Sequence, residues 1–173
     1  GWVATLTIEN RTKQAWKNVV SPVCLLLRSA PGFADPDWSR TFFHSDGEFL
    51  AYRGRQTPTG KPIYRMSLVK GERQIERTRR HINKWGFTRR QSDDGIIGVV
   101  SRDGQSILTT SWSRVHHLQA NLKATFACIH GNPWLGAIPA GESRTVQGCV
   151  LLSGGGLEEA WKNTRQVLKS FAK

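Results

Sequence analysis

The sequence contains few acidic residues and no long apolar run. Thirteen Asp and Glu stand against 25 Lys and Arg in 173 residues, which gives a formal net charge of +12. Unless this charge only sets solubility, it favours anionic partners, namely nucleic acid, acidic polysaccharide or an anionic membrane surface. No segment reaches the ~18 apolar residues of a membrane-spanning helix. Residues 1–5 lack the features of a signal peptide, so we expect any targeting segment to precede them.

Cysteine usage excludes one class of metal site. Cys24, Cys128 and Cys149 form no Cys-x-x-Cys pair, so the zinc-ribbon arrangement is excluded. Cys24 and Cys149 lie inside apolar runs, where we expect them to be small buried hydrophobic residues. One disulfide with a third cysteine left over is the alternative, and the spacing assigns no pairing.

Several catalytic motifs are also missing. There is no Gly-x-Ser-x-Gly nucleophile elbow. Gly154-Gly155-Gly156 lacks the Gly-Lys-Ser/Thr of a phosphate-binding loop and indicates a hinge before a helix. No pair of facing carboxylates stands out, which disfavours glycoside hydrolysis. Cys128 and His130 would share a strand face, but no third catalytic group can be identified for a thiol nucleophile.

What the sequence does contain is a series of short strand-like runs separated by Gly, Pro and Asp turns. Residues 96–100 and 106–112 enclose Asp103-Gly104, which is a strong hairpin signal. Residues 157–171 have apolar residues near helical spacing, with acidic residues first and lysines last, which complements a helix dipole. The pattern predicts one all-β domain over residues 1–173, an antiparallel β-sandwich or jelly roll with a C-terminal α-helix.

Residues 65–90 form a strongly basic segment that we expect to be an insertion in the sandwich. The segment contains nine Lys and Arg residues. Ile75, Arg79 and Ile82 could share one face of a short helix near residues 71–84. An irregular basic loop is the alternative.

The chain carries a series of short motifs in a fixed order. Ser101-Arg-Asp-Gly-Gln105 precedes Ser111-Trp112, Cys128-Ile-His-Gly-Asn-Pro133, Pro139-Ala-Gly-Glu142 and Gly148, and Val23-Cys24-Leu25 and Ala30-Pro-Gly-Phe33 lie upstream. This series resembles an uncharacterised all-β domain of large secreted or surface proteins from environmental bacteria. The resemblance covers most of the chain outside residues 65–90. It implies a β-sandwich in an extracellular or cell-envelope setting, and it implies no activity.

Histidines form a candidate metal site. Adjacent residues of a strand point to opposite faces, so only one of His116 and His117 would join His130. If their strands are neighbours, two imidazoles meet at a sheet edge. His44 or a carboxylate would then complete a set suited to copper, zinc or iron. The alternative is that these histidines occupy scattered surface or capping positions.

Binding of an anionic polysaccharide is the main functional prediction. Sugar rings stack on exposed aromatic faces, and arginine or lysine pairs with carboxylate or sulfate. The candidate ligand-binding residues are Trp38, Trp85, Trp134, Arg79, Arg80, Lys84 and Arg114. We therefore predict a non-catalytic binding or accessory module. Nucleic acid is an alternative partner, because basic residues with interleaved aromatics are also typical of proteins that bind nucleic acid.

Two other functions remain alternatives. The first is a jelly-roll enzyme acting on polysaccharide, either metal-dependent through the histidines or lyase-like. In a lyase Arg114 would neutralise a uronate, and the candidate bases are His116, His117, Tyr52 and Tyr64. The second is a structural module that contacts a protein partner through the basic segment.

Overall fold

The computed structural model describes residues 1–52, 65–73, 75, 88–121 and 127–171. Within these residues the chain forms eleven β-strands, a short 3-10 helix and one α-helix. The strands are β1 Trp2–Glu9, β2 Trp16–Val20, β3 Leu25–Leu26, β4 Thr41–Ser45, β5 Glu48–Ala51, β6 Arg65–Leu68, β7 Ile97–Val100, β8 Ser106–Trp112, β9 Val115–Asn121, β10 Cys128–Ile138 and β11 Ser143–Gly154. The 3-10 helix is Pro31–Phe33, and the α-helix, α1, is Leu157–Ser170.

The strands form two antiparallel sheets. The first sheet has six strands in the order β1-β11-β8-β7-β4-β5, and the second has the order β2-β10-β9-β6 with β3 also paired to β10. The prediction of an antiparallel β-sandwich with a C-terminal α-helix is confirmed. Most of the helix considered near residues 71–84 lies outside the described residues. Residues 65–68, at the start of the basic segment, form β6 and pair with β9.

The main core lies between the two sheets, because alternate side chains of each strand point to the same face. Ile97 of β7 belongs to one buried cluster with Leu118 of β9 and Ile129 of β10, and each is at most 2% exposed. Gly148 of β11 allows Trp112 to lie against the backbone. A Cβ atom at Gly148 would be only 2.4 Å from Cδ2 of Trp112.

A second, smaller core joins α1 to the six-stranded sheet. Trp161 of α1 is fully buried, lies against Gly98 and makes an edge contact with Phe49 at a ring-centroid distance of 5.0 Å. The hydroxyl groups of Thr164 and Thr109 are hydrogen-bonded at 2.7 Å. Among the described residues, no helix combines the length and the apolar composition needed to cross a membrane.

Three residues differ from what the sequence indicated. Trp38 is 1% exposed and belongs to the main core, so its ring does not offer a face to a ligand. Tyr52 is 3% exposed and packs in the same core, which corrects its assignment as an accessible base. Burial of these large rings removes much apolar surface from water. Cys24 is exposed despite its apolar neighbours, whereas Cys149 is buried as expected and Cys128 is buried as well.

Candidate metal centre

The candidate site lies along one edge of the second sheet, where β2 and β3 border β10. Val20 of β2 pairs with Trp134, and Leu25 of β3 pairs with Ile129. From Val20 to Leu25 the chain advances by five residues, and the partner on β10 moves back by five, from Trp134 to Ile129. The two antiparallel pairs therefore share one register. Strands β2 and β3 therefore continue one edge, which is interrupted at residues 21–24. The proline at position 22 explains the interruption, because it cannot donate a backbone hydrogen bond to the ladder.

Three side chains able to bind a metal meet on this edge. The shared register places Cys24 opposite His130, and Cys128 lies two residues before His130 on the same side of β10. The ligand atoms of the three residues all lie within 4.8 Å of one another. Cys128 Sγ is 3.0 Å from His130 Nε2. Cys128 and His130 are buried, so the exposed Cys24 forms the solvent-facing side of the cluster.

Burial keeps the inner part of the cluster uncharged at neutral pH. It raises the pKa of the Cys128 thiol to about 12, against a hydrogen bond from Asn121 that lowers it, while Cys24 adds to the rise. Burial also lowers the pKa of His130 to about 4. The result is a thiol beside a neutral imidazole, not the thiolate–imidazolium pair of an activated nucleophile. A neutral imidazole is the form that coordinates a metal ion.

Several polar atoms around the cluster are buried without a hydrogen-bond partner in the described part of the chain. The Nδ2 of Asn121 donates to Cys128 Sγ at 3.2 Å, but its Oδ1 is unpaired. The Nδ1 of His130 is unpaired, and so are both amide atoms of Asn132, which lies two residues further along the same side of β10. Buried polar atoms are nearly always hydrogen-bonded, so this concentration fits a site for a polar or charged species.

The adjacent histidines of β9 do not point to opposite faces, which corrects the sequence-based expectation. The Nδ1 atoms of His116 and His117 lie 2.8 Å apart. This contact occurs where β10 shifts its register against β9, and such an irregularity breaks the strict alternation of side chains. His116 Nε2 donates to the carbonyl oxygen of Arg73 at 3.0 Å, so its Nδ1 accepts from His117. Burial, with additional effects of His116 and His130, lowers the pKa of His117 to about 3.

The other predicted site residues are placed elsewhere. His44 lies on β4 in the six-stranded sheet and pairs with Asp93, at 2.8 Å between Nδ1 and Oδ2. In the part of the chain that the structure describes, the group of converging metal-binding side chains consists of Cys24, Cys128 and His130 and does not include His44. Trp134 stacks on His116 at 5.2 Å, and the guanidinium carbon of Arg114 lies 5.6 Å from the Trp134 ring centroid. Five candidates lie outside the described residues: Tyr64, Arg79, Arg80, Lys84 and Trp85.

Cys24 is the member of the candidate cluster that the sequence did not reveal. The Cys128-x-His130 spacing was visible as one strand face, but no local pattern connects residue 24 with that strand. Two thiols and one imidazole are donors typical of zinc and copper sites. They would fill three of the four positions around a tetrahedral ion. Comparison of the chain with protein-family models, with curated proteins and with solved structures finds no match.

Proposed function

We propose that this domain binds a transition-metal ion, zinc or copper, through Cys24, Cys128 and His130. The proposal depends on one observation, the convergence of two sulfur atoms and one nitrogen within 4.8 Å. In tetrahedral zinc sites the ligands lie about 2.3 Å (sulfur) and about 2.0 Å (nitrogen) from the metal, so ligand atoms are about 3.5–3.8 Å apart. Shifts of about 1 Å or less would therefore bring the three atoms into binding geometry.

The chemistry of the three residues supports reversible binding. His130 is already neutral at pH 7, so only the thiols must lose protons when the ion binds. The exposed Cys24 gives an ion access from solvent to the buried Cys128 and His130. A fourth coordination position would be left for water or a ligand, as in catalytic zinc sites and unlike closed structural ones.

Metal titration of the reduced, metal-free chain tests this proposal. Cobalt(II) serves as a spectroscopic probe for zinc, and a thiolate-to-cobalt absorption band with one-to-one stoichiometry is expected. Cys24→Ser and His130→Ala should each weaken binding by more than tenfold. Cys149→Ala is the matched control, because Cys149 is buried in β11 of the other sheet. Equal affinity in Cys24→Ser and in Cys149→Ala would contradict the site.

Anionic polysaccharide binding is a second proposal, supported by the net charge of +12 and by Arg114, whose side chain is 60% exposed. Arg114 lies over Trp134 and is 3.7 Å from Glu72, so its guanidinium is held at a defined place on the surface. The extracellular or cell-envelope setting implied by the resemblance belongs to this proposal. His116 and Arg114 both lie against the Trp134 ring. The polysaccharide would therefore contact the Arg114 guanidinium before it contacted the ring.

Affinity electrophoresis in alginate gels tests the polysaccharide proposal. Arg114→Gln should reduce retention more than Arg11→Gln, a control with the same change of charge at an 83% exposed side chain. If both variants lose retention equally, the interaction reports only net charge. Retention that disappears in moderate salt for all variants would lead to the same conclusion.

A further inference from the structure

We propose that Cys24 and Cys128 are a redox-active pair that closes into a disulfide when Cys24 is oxidised. The disulfide itself requires no metal. The consequence of the disulfide, that oxidation prevents metal binding, rests on the proposed function above. The inference assigns Cys24 as a site of thiol modification and Cys128 as the thiol that resolves it.

The positions of the two residues provide the geometry. The two Sγ atoms lie within 4.8 Å of each other, and a disulfide requires about 2.05 Å. Cys128 is held on both sides, because it pairs with Leu26 of β3 and with Asn121 of β9. Cys24 lies in the interruption between β2 and β3, outside either strand. We therefore expect Cys24 to make the movement that brings the sulfur atoms together.

The difference in exposure sets the order of the two chemical steps. Cys24 is exposed, whereas Cys128 is 2% exposed, so an oxidant from solvent meets Cys24 first. With oxidised glutathione, the Cys24 thiolate attacks one glutathione sulfur. A mixed disulfide forms, the glutathione disulfide bond breaks and one glutathione thiolate leaves.

The second step is intramolecular. The Cys128 sulfur attacks the Cys24 sulfur, the Cys24–Cys128 bond forms, and the second glutathione leaves as its thiolate. As its sulfur attacks, the Cys128 thiol gives up its proton to solvent, and the departing glutathione thiolate takes up a proton from solvent. Two cysteine thiols lose two electrons, and one glutathione disulfide is reduced to two glutathione molecules.

Oxidation and metal binding would exclude each other. Both sulfur ligands are consumed by the disulfide, which leaves His130 as the only one of the three donors. Cys149 takes no part, because it is buried in β11 of the six-stranded sheet. It provides an internal control for non-specific thiol oxidation.

The experiment is oxidation of the full, metal-free chain in glutathione buffers, followed by alkylation of remaining thiols under denaturing conditions and peptide mass spectrometry. We expect a disulfide between the peptides that contain Cys24 and Cys128, with Cys149 alkylated. Cys128→Ala should accumulate a glutathione adduct on Cys24. In Cys24→Ser, Cys128 should stay reduced, and since Cys24 is exposed this variant should fold normally.

Two outcomes would overturn the inference. One is a stable glutathione adduct on Cys24 in the wild-type chain with Cys128 still reduced. The other is a disulfide formed only between the Cys24 residues of two molecules. If the disulfide forms but the reduced chain binds none of cobalt(II), zinc and copper(I), the proposed function fails and the redox pair stands. If the reduced chain binds metal and no disulfide forms, only this inference fails.

Discussion

The Sγ of Cys128 lies 3.0 Å from Nε2 of His130, two positions further along the same strand. The contact follows from strand geometry, because residues i and i+2 share a face. It becomes a three-ligand cluster only because Cys24, from a distant part of the chain, reaches the same edge of the sheet. The consequences of this arrangement and of the surrounding fold can be tested directly.

Asn121 is expected to position Cys128 for metal binding. Its Nδ2 donates to the Cys128 sulfur at 3.2 Å. Residues that orient metal ligands typically contribute about 10–100-fold to affinity. Asn121→Ala should therefore lower cobalt(II) affinity by about that factor, measured by spectroscopic titration. Ser111→Ala is the control: it removes a buried hydroxyl bonded to the Gly95 carbonyl at 2.9 Å in the other sheet, and it should leave affinity unchanged. An equal loss in both variants would show a general effect on folding.

Asp93 should make the free energy of unfolding depend on pH. Its carboxylate accepts the backbone N–H groups of Asp46 and Gly47 at 3.1 and 3.2 Å and pairs with Lys70 at 2.7 Å. Partial burial raises the pKa of Asp93, but these hydrogen bonds prevail and hold it well below its ordinary value. A depressed carboxylate pKa stabilises the folded state above the unfolded value of about 3.9, and this stabilisation is lost as pH falls.

Asp93→Asn should therefore lower the free energy of unfolding at neutral pH by about 1–3 kcal/mol, as expected for loss of a charged acceptor. The difference in the free energy of unfolding between Asp93→Asn and the wild type should become smaller near pH 3. Urea unfolding at both pH values measures this. Glu48→Gln, which removes an exposed carboxylate next to the Asp46-Gly47 turn that Asp93 binds, should change stability little. A difference for Asp93→Asn that does not vary with pH would contradict the assignment.

Trp161 is expected to hold α1 against the six-stranded sheet. It is fully buried, whereas Trp2 of β1 is 74% exposed. Trp161→Ala should cost about 3–5 kcal/mol in the free energy of unfolding, and Trp2→Ala less than about 0.5 kcal/mol. Chemical denaturation of the two variants gives the comparison. Similar values for both would mean that α1 does not dock as described.

Gly148 should not tolerate a side chain. An added Cβ would lie 2.4 Å from the Trp112 ring, which is itself packed in the core. Gly148→Ala should destabilise the protein by about 1–3 kcal/mol through overpacking. At Gly32 a Cβ would meet nothing within 4 Å, so Gly32→Ala should be nearly neutral when measured by the same urea titration. A neutral Gly148→Ala would show that Trp112 can move aside.

Local patterns in the sequence determined the class of fold and several of its elements. Asp103-Gly104 closes the β7–β8 hairpin, since Gly104 adopts a φ of 75°, which other residues rarely accept. Apolar residues near helical spacing and acidic residues in the first turn led to α1. These signals act between neighbours in the chain, so a single sequence carries them.

Which side chains form the candidate site is determined only by the tertiary structure. Cys24 reaches His130 through the register between distant strands, and no local pattern encodes that register. A register shift in β10 brings His116 and His117 into contact where simple alternation would separate them. Trp38, a candidate ligand-binding residue in the sequence, is buried in the core because packing depends on residues far away in the chain. The sequence by itself determined strands, turns and a helix, and long-range strand pairing determined which side chains meet.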